Sequence, residues 1–124
     1  MANNKLGIGN DIVEVDRIHQ LSNSHGQRFF RHVFTQNEVE WCQKRQAPHI
    51  HFAGKFAAKE AVKKALMSMG ESETIPLKSI EINRSEGKPP TVNVLCDLSS
   101  SYHIKISIAH TNLLATAVAI VQVK

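Results

Sequence analysis

Two charged residues one helical turn apart, Glu60 and Lys64, are the first candidates for chemistry in this chain. They lie in residues 52–66, FAGKFAAKEAVKKAL, where alanine, leucine, lysine and glutamate predict a helix of roughly four turns. Three more lysines cluster on a different side of that helix: Lys55, Lys59 and Lys63. A carboxylate with cations nearby suits a metal–phosphate site. A glutamate followed four residues later by a lysine is also the common ion pair of a helix surface, worth about 0.2–0.5 kcal/mol.

A second carboxylate, Asp11, lies in residues 6–15, whose alternation predicts a strand. Aspartate is depleted in strands, yet Asp11 shares a face with Gly7, Gly9 and Val13. A buried carboxylate is costly unless it is paired, hydrogen-bonded or bound to a metal. Asp11 is therefore either a functional carboxylate or a strand-end residue that caps the next turn.

The predicted long helix carries a face of small residues, which allows close packing against a sheet or another helix. The residues of that face are Gly54, Ala57, Ala58, Ala61, Val62 and Ala65. Shorter helical segments are predicted near 16–22, 27–33 and 35–45. Asp16 is the expected N-cap of the first segment. Thr35 and Glu38 form a capping box that opens the third, and Pro48 separates it from the long helix.

Strands dominate the second half of the chain. After a loop at 67–76, the predicted strands are 77–85, 91–96, 103–109 and 114–123, with a turn at 86–90. One strand, then helices, then a run of antiparallel strands predicts an α+β fold. We expect an antiparallel or mixed sheet packed on one long central helix and shorter helices.

Length and composition indicate one domain, 1–124, with a core, since 42% of the 124 residues are hydrophobic. The net charge of +4 and the pI of 9.3 favour an acidic partner. Two cysteines without CxxC spacing predict free thiols in a reducing compartment. The sequence shows neither a signal peptide nor an apolar run long enough for a membrane span, so we expect a cytoplasmic protein without a membrane partner.

Two other functions fit the composition less well. A nucleic-acid-binding domain is disfavoured because one Tyr and one Trp leave few stacking platforms and the basic residues are scattered. A zinc site from the seven histidines is disfavoured because His49 and His51 are isolated from the cysteines.

Four motifs together carry a family resemblance: GIGNDIVEVDRI, FAGKFAAKEAVKKAL, EGKPP and ISIAHT, in that order. The chain resembles the holo-acyl-carrier-protein synthases, small bacterial members of the 4′-phosphopantetheinyl transferase superfamily, over nearly its whole length. The resemblance implies Mg²⁺-dependent transfer of phosphopantetheine from coenzyme A to a serine of apo acyl carrier protein, releasing adenosine 3′,5′-bisphosphate. It also implies an α+β fold and a homotrimer with sites between subunits, and it leaves fatty-acid biosynthesis and a secondary pathway open.

The resemblance places the family's metal ligands on Asp11 and Glu60, and the family's lysine one turn later on Lys64. The chemistry of the residues agrees, because Mg²⁺ typically takes one or two carboxylates together with water and phosphate oxygens. Glu60, or a metal-held water that it orients, would accept the serine proton, and Lys64 would stabilise the leaving group or donate to it.

Contacts with coenzyme A and with the carrier protein are also implied by the resemblance. Near coenzyme A it places Gly87, Lys88, Pro89, His110 and Thr111. Lysines able to neutralise phosphates as point charges are Lys55, Lys59, Lys63, Lys64 and Lys88. Arg17 would meet the acidic carrier protein. Arg28 and Arg31, beside Phe29 and Phe30, would extend that docking surface unless the phenylalanines simply belong to the core.

Three positions depart from the family pattern. Ala109 replaces the serine before His110, Lys55 replaces an arginine, and the loop 67–76 lacks the usual run of glycines. Lysine does not reproduce the bidentate grip of arginine on phosphate. The alternative to an active enzyme is therefore a weak or inactive module that binds carrier protein and coenzyme A.

Overall fold

A three-stranded antiparallel sheet lies at the centre of the fold. The computed structural model describes residues 6–124. Strand β1 (Leu6–Glu14) pairs with β5 (Leu114–Val123), which also pairs with β4 (Tyr102–His110). A separate antiparallel hairpin consists of β2 (Ile80–Asn83) and β3 (Thr91–Val94).

Three helices connect β1 to the hairpin: α1 (Val15–Val33), α2 (Gln36–Gln43) and α3 (Pro48–Ser68). A short 3₁₀ turn (Leu77–Ser79) precedes β2. The order of strand, helices and antiparallel strands confirms the predicted α+β class. In the described range 6–124, no helix has both the length and the apolar character needed to cross a bilayer.

Helix α1 differs from the two segments predicted in this region. It is one helix by hydrogen bonding, interrupted at Gly26, whose φ of 52° and ψ of −130° are not helical. The break between the predicted segments is therefore real. The prediction that Asp16 is the N-cap was wrong, because Glu14 occupies that position and Asp16 lies in the first turn. A carboxylate there still interacts favourably with the helix dipole.

Helix α2 begins with the predicted capping box. The Thr35 hydroxyl accepts the Glu38 N–H at 3.3 Å, and the Thr35 N–H donates to the Glu38 carboxylate at 2.8 Å. The helix ends at Gln43, two residues before the predicted end. Pro48 does not separate the helices but is the first residue of α3. Proline suits this position because the first N–H groups of a helix have no intrahelical acceptor.

Helix α3 packs on the inner face of the sheet through the predicted small residues, all of which are buried. Strand β5 contributes further small residues, Ala115, Ala117 and Ala119, to the same layer. The approach of β1 is closest at Gly9, where an added Cβ would lie 2.1 Å from the carbonyl oxygen of Ala61. Any larger residue at position 9 would therefore push β1 away from the helix.

The strands of the second half follow the predicted order, with β2 and β3 shorter than predicted and β4 one residue longer at each end. The predicted strand 77–85 is a 3₁₀ turn followed by β2, and β3 ends at Val94. The turn between β2 and β3 contains Gly87 at a φ of 73°, which glycine adopts without strain. Strand β5 has the predicted limits, 114–123. The two cysteines are free thiols, as expected.

No described residue of the range 6–124 covers the outer face of the three-stranded sheet. It exposes a group of apolar side chains: Leu6, Ile8, Ile12, Val118 and Ile120. Ile8 is 67% exposed and lies opposite Ile120, which is 47% exposed. Soluble monomers rarely expose contiguous apolar patches of this kind, so the face is suited to an interface.

Candidate active site

Asp11 and Lys64 bring β1 and α3 together at the first part of the candidate site. The ammonium group of Lys64 lies 3.1 Å from Oδ1 of Asp11 and donates to the Asn10 carbonyl oxygen at 3.0 Å. Among residues 6–124 the ion pairs are Asp11–Lys64 and Glu38–Lys59. Lys64 therefore pairs with the strand aspartate, and not with Glu60 as in the common surface pair.

Glu60 is half-buried on the turn of α3 that β1 crosses, because the next residue, Ala61, makes the close approach to Gly9. The strand and the helix thus meet, which the pairing of Asp11 with Glu60 required. Asp11 remains 18% exposed in its side chain and already attracts one cation, the Lys64 ammonium group. Two carboxylates on facing elements, open to water, fit a hard divalent cation such as Mg²⁺.

A larger ligand group of the kind that binds zinc is not seen in the described part of the chain. Among the described side chains of residues 6–124, which do not include that of His25, no three His, Cys, Asp or Glu residues come together as possible metal ligands. His51 and His110 have ring centroids 6.1 Å apart. A carboxylate pair that leaves the remaining ligands to water and phosphate is the arrangement typical of magnesium.

The second part of the site is a cavity of about 310 Å³ between α3, the end of α2 and the β2–β3 turn. Its lining residues are Trp41, Arg45, Ile50, His51, Gly54, Lys55, Ile82, Arg84, Ser85, Glu86, Gly87, Pro90, Ile108 and His110. Three of these, Arg45, Lys55 and Arg84, are basic, and only Glu86 is acidic. The lining therefore favours an anionic ligand with an apolar or aromatic portion.

Trp41 is the aromatic centre of the cavity wall. The Arg45 guanidinium carbon lies 3.9 Å from its ring centroid, and the Lys55 ammonium nitrogen lies 4.7 Å from it. Both distances are within the range of cation–π attraction. The His51 ring packs edge-on against the same indole, with centroids 5.3 Å apart.

Two basic side chains in this cavity, Lys55 and His51, have lowered pKa values. Lys55 is only 4% exposed, and burial lowers the pKa of its ammonium group. Burial also lowers the pKa of His51, and the neighbouring positive charges of His110, Arg45 and Arg84 lower it further. An entering phosphate would offset this repulsion, which is the electrostatic condition for binding a multiply charged anion.

The structure divides the residues expected near coenzyme A into two groups. Lys55, Gly87 and His110 line the cavity. The residues outside its lining are Lys59, Lys64, Lys88, Pro89 and Thr111. The Thr111 hydroxyl accepts the N–H groups of Leu113 and Leu114 at 3.1 and 3.0 Å, so it shapes the turn between β4 and β5.

Lys59 lies in the interior and has no donor directed to the cavity. Its side chain is 0% exposed, and its three N–H groups meet the Glu38 carboxylate at 2.7 Å and the carbonyl oxygens of Ile80 and Leu77 at 2.7 and 3.1 Å. Burial lowers its pKa, while the charge and hydrogen bond of Glu38 oppose that shift. We therefore remove Lys59 from the expected phosphate ligands and treat it as an internal contact.

Sequence reasoning missed four cavity residues: Trp41, Arg45, His51 and Arg84. One signal was present, because Trp41 on α2 and Arg45 just beyond its end are four residues apart, and so are His51 and Lys55 on α3. Arg84 directly follows β2 in the sequence and carried no comparable signal. Its place in the cavity depends on how the hairpin packs against α3.

The expected docking residues lie along α1. Arg17, Arg28 and Arg31 are all exposed. Phe29 and Phe30 are half-buried and pack against the core, with Phe30 4.8 Å from the Phe52 ring centroid. Both rings therefore serve partly as core.

The chain is similar in sequence to known proteins of one family. The model of the 4′-phosphopantetheinyl transferase superfamily matches residues 7–120. A holo-[acyl-carrier-protein] synthase of Protochlamydia amoebophila is 47% identical over 118 residues, 93% of this chain and 96% of the relative.

Solved structures show the same similarity. A holo-(acyl-carrier-protein) synthase from Bacillus anthracis in complex with CoA (3′,5′-ADP) is 27% identical with a TM-score of 0.78, covering 95% of this chain and 96% of that one. An ACPS–CoA complex from Chronobacterium ammoniagenes reaches a TM-score of 0.82 at 22% identity, covering 96% and 98%, and shows the shared fold. With the family model matched over nearly the whole length, this chain belongs to the 4′-phosphopantetheinyl transferase superfamily.

Proposed function

We propose that the chain is a holo-[acyl-carrier-protein] synthase. It transfers 4′-phosphopantetheine from coenzyme A to a serine of apo acyl carrier protein and releases adenosine 3′,5′-bisphosphate. The observation that carries the proposal is a basic, aromatic cavity beside α3, the helix whose Lys64 pairs with Asp11 of β1. The name of the 47% identical relative supports the same reaction.

The cavity suits the nucleotide end of coenzyme A. Trp41 offers an aromatic face, and Lys55, Arg45 and Arg84 offer positive charge to phosphate. Lys55 and Glu60 are five residues apart on α3, which is about 7.5 Å along the helix axis. The same spacing also turns about 140° around the helix, so the diphosphate would have to pass around α3 to reach Glu60, where we propose that the phosphoryl group is transferred.

Asp11 and Glu60 are the residues we assign to a Mg²⁺ ion. When bound, the ion supplies charge neutralisation to the diphosphate and so favours departure of the adenosine bisphosphate. Lys64, which already lies against Asp11, is near enough to the same region to donate to the leaving phosphate oxygen.

Glu60 is the proposed acceptor of the serine proton. The serine oxygen forms a bond to the phosphorus that carries pantetheine, the bond to the adenosine bisphosphate oxygen breaks, and the serine proton passes to Glu60 directly or through water. Glu60→Gln should then lose about a hundredfold or more in turnover and keep its affinity for coenzyme A. Turnover at the wild-type level would contradict this assignment.

Helix α1 is the proposed docking surface for the acidic carrier protein. Arg17, Arg28 and Arg31 are exposed on one helix, and opposite charges across an interface accelerate encounter. The net charge of +4 acts in the same direction.

We further propose that residues 1–124 act as one transferase domain in a cytoplasmic homotrimer serving lipid metabolism, with fatty-acid biosynthesis as the first pathway to test. The uncovered apolar face of the three-stranded sheet supports subunit contact. The number of subunits comes from the family resemblance, and the free cysteines are consistent with a reducing compartment.

The deciding experiment is intact-protein mass spectrometry of apo acyl carrier protein incubated with this chain, coenzyme A and Mg²⁺. A mass gain of one phosphopantetheine, lost with Glu60→Ala and lost with EDTA, is the expected result. No gain with several carrier proteins, despite measurable coenzyme A binding, would favour the alternative of an inactive binding module. Ala109 and Lys55, the departures from the family pattern, are the reason to run that comparison.

A further inference from the structure

The carboxylate of Glu38 is a buried junction between three elements. Its Oε1 accepts the Lys59 ammonium group at 2.7 Å and the Thr35 N–H at 2.8 Å. Its Oε2 accepts the Ile82 N–H at 2.7 Å. The side chains of Glu38 and Lys59 are both 0% exposed. Glu38 therefore does more than cap α2, because it also joins α2 to α3 and to β2.

Strand β2 has one edge paired with β3 and the other edge directed at these side chains. Successive residues of a strand point their backbone polar groups to opposite edges. On the β3 side, the Ser79 carbonyl oxygen accepts the Leu95 N–H at 2.7 Å. On the other side, Ile80 and Ile82 meet side chains from the helices.

Two lysines and one glutamate satisfy that second edge. Lys59 donates to the Ile80 carbonyl oxygen at 2.7 Å, and Lys55, one turn earlier, donates to the Ile82 carbonyl oxygen at 2.8 Å. The Ile82 N–H donates to Glu38. Side chains thus form the hydrogen bonds that a neighbouring strand would otherwise form with this edge. These contacts fix the distance between the hairpin and α3.

The position of the hairpin matters because its turn forms one wall of the cavity. Arg84, Gly87 and Pro90 belong to that wall, while His51 and Lys55 belong to the opposite wall on α3. A shift of β2 along or away from α3 would change the distance between the two walls. The contacts of Glu38 and Lys59 therefore bear on the cavity although neither side chain lines it.

We propose that Glu38 and Lys59 are positioning residues, which hold the β2–β3 hairpin at the distance from α3 that nucleotide binding requires. The inference rests on the proposed binding of coenzyme A in the cavity. A buried ion pair often stabilises a fold no more than well-packed apolar residues do, so stability alone does not account for this pair.

The test uses the double variant Glu38→Gln/Lys59→Met. A single Lys59→Met would leave a buried carboxylate unpaired and is expected to destabilise the fold strongly. The double variant removes one positive and one negative charge, so the net charge near the cavity is unchanged. The amide of a glutamine at position 38 can still accept one backbone N–H, while the contacts from position 59 to Ile80 of the hairpin and to Leu77 of the preceding 3₁₀ turn are lost.

Two measurements are made on the folded double variant. Isothermal titration with adenosine 3′,5′-bisphosphate reports nucleotide affinity without a carrier protein or turnover. Hydrogen exchange of the peptide containing β2 reports the protection of the hairpin. We expect affinity about tenfold weaker than in the wild type and faster exchange in β2. The matched control is Val121→Ala, a core truncation on β5 that should lower stability and keep both readouts.

Either readout remaining at the wild-type level would overturn the proposal. If the double variant does not fold, Glu38→Gln alone is measured in the same way. That variant adds net positive charge, which by itself would tighten anion binding, so weaker binding would point to the hairpin. If the wild type binds no adenosine 3′,5′-bisphosphate, the proposed function fails, and that result differs from a loss confined to the variants.

Discussion

The ammonium group of Lys64 on α3 lies 3.1 Å from the carboxylate of Asp11 on β1. The two residues are 53 positions apart in sequence. Lys64 is 53% exposed in its side chain, so the contact can exchange with solvent ions. The lysine thus occupies a cation position beside a proposed magnesium ligand. A metal ion that binds Asp11 should therefore displace the Lys64 ammonium group, which then becomes free to approach a phosphate group.

Removal of Lys64 should therefore strengthen metal binding in the absence of coenzyme A. We expect Lys64→Met to bind Mn²⁺ up to about fivefold more tightly, because half-exposed ion pairs are worth ~0–1 kcal/mol. Turnover should fall in the same variant. Electron paramagnetic resonance of free Mn²⁺ measures the affinity, and Lys63→Met controls for the loss of one charge on the same helix. Weaker binding in Lys64→Met would contradict the competition.

Close contact between β1 and α3 depends on Gly9. An alanine at this position would place its Cβ 2.1 Å from the Ala61 carbonyl oxygen. We expect Gly9→Ala to cost about 1–3 kcal/mol or more, the usual range for overpacking. Gly54→Ala is the control, since its Cβ would meet only a side-chain methyl of Ile108 at 3.2 Å. Urea unfolding gives the free energy of unfolding of both variants. Equal values would show that β1 can move away from α3 without loss of stability.

Acid sensitivity should arise in part from Glu81. Its carboxylate accepts the Thr35 hydroxyl at 2.6 Å, and that hydrogen bond, partly opposed by burial, lowers the pKa. Because the folded pKa is lowered, the ionised group stabilises the fold above its ordinary pKa of 4.5, and this contribution is lost as the pH falls through the lowered pKa.

Thr35→Val removes that hydrogen bond together with the cap of α2, whose loss costs about 1 kcal/mol. The stability difference between wild type and variant should be largest near neutral pH and shrink at about pH 3.5. Urea unfolding at both pH values measures this difference. Thr35→Ser, which keeps the hydroxyl group, should follow the wild type. A difference that does not change with pH would exclude the contribution of Glu81.

Charge reversal on α1 should weaken the use of carrier protein selectively. We expect Arg28→Glu/Arg31→Glu to raise the KM for acyl carrier protein about tenfold or more at low salt, because opposite charges steer association. The KM for coenzyme A should not change. Lys124→Glu is the control for net charge. Steady-state kinetics over a series of salt concentrations measures the KM for acyl carrier protein. If the salt dependence of this KM is the same in the variant as in the wild type, the docking surface lies elsewhere.

The apolar outer face of the sheet should control assembly. A charge introduced by Ile120→Glu, opposite the 67% exposed Ile8, should convert trimer to monomer in sedimentation equilibrium. Leu95→Glu is the control, because Leu95 is 55% exposed and lies outside the three-stranded sheet. A wild-type monomer, or a trimer that survives Ile120→Glu, would contradict the proposed interface.

Local patterns were sufficient for most elements of the fold. The mostly apolar run of residues 114–123, the Thr35–Glu38 capping box and the small-residue face of α3 depend on side chains within a few positions of each other. Periodicity and capping report such contacts directly. The limits of α1 and β2 were predicted less well, because the chain continues hydrogen bonding past Ser22 and begins β2 only after a 3₁₀ turn.

The sequence by itself determined the fold class and the long helix, because these depend on periodicity, and it supplied the residue types of the proposed metal–phosphate site. Only the tertiary structure decided where chemically identical lysines go. Lys55 lines the cavity, Lys59 is enclosed with Glu38, and Lys64 pairs with Asp11. The physical reason is distance in sequence: the partners of these lysines are on β1, α2 and β2, and packing of those elements on α3 determines which ammonium group is desolvated and which meets solvent.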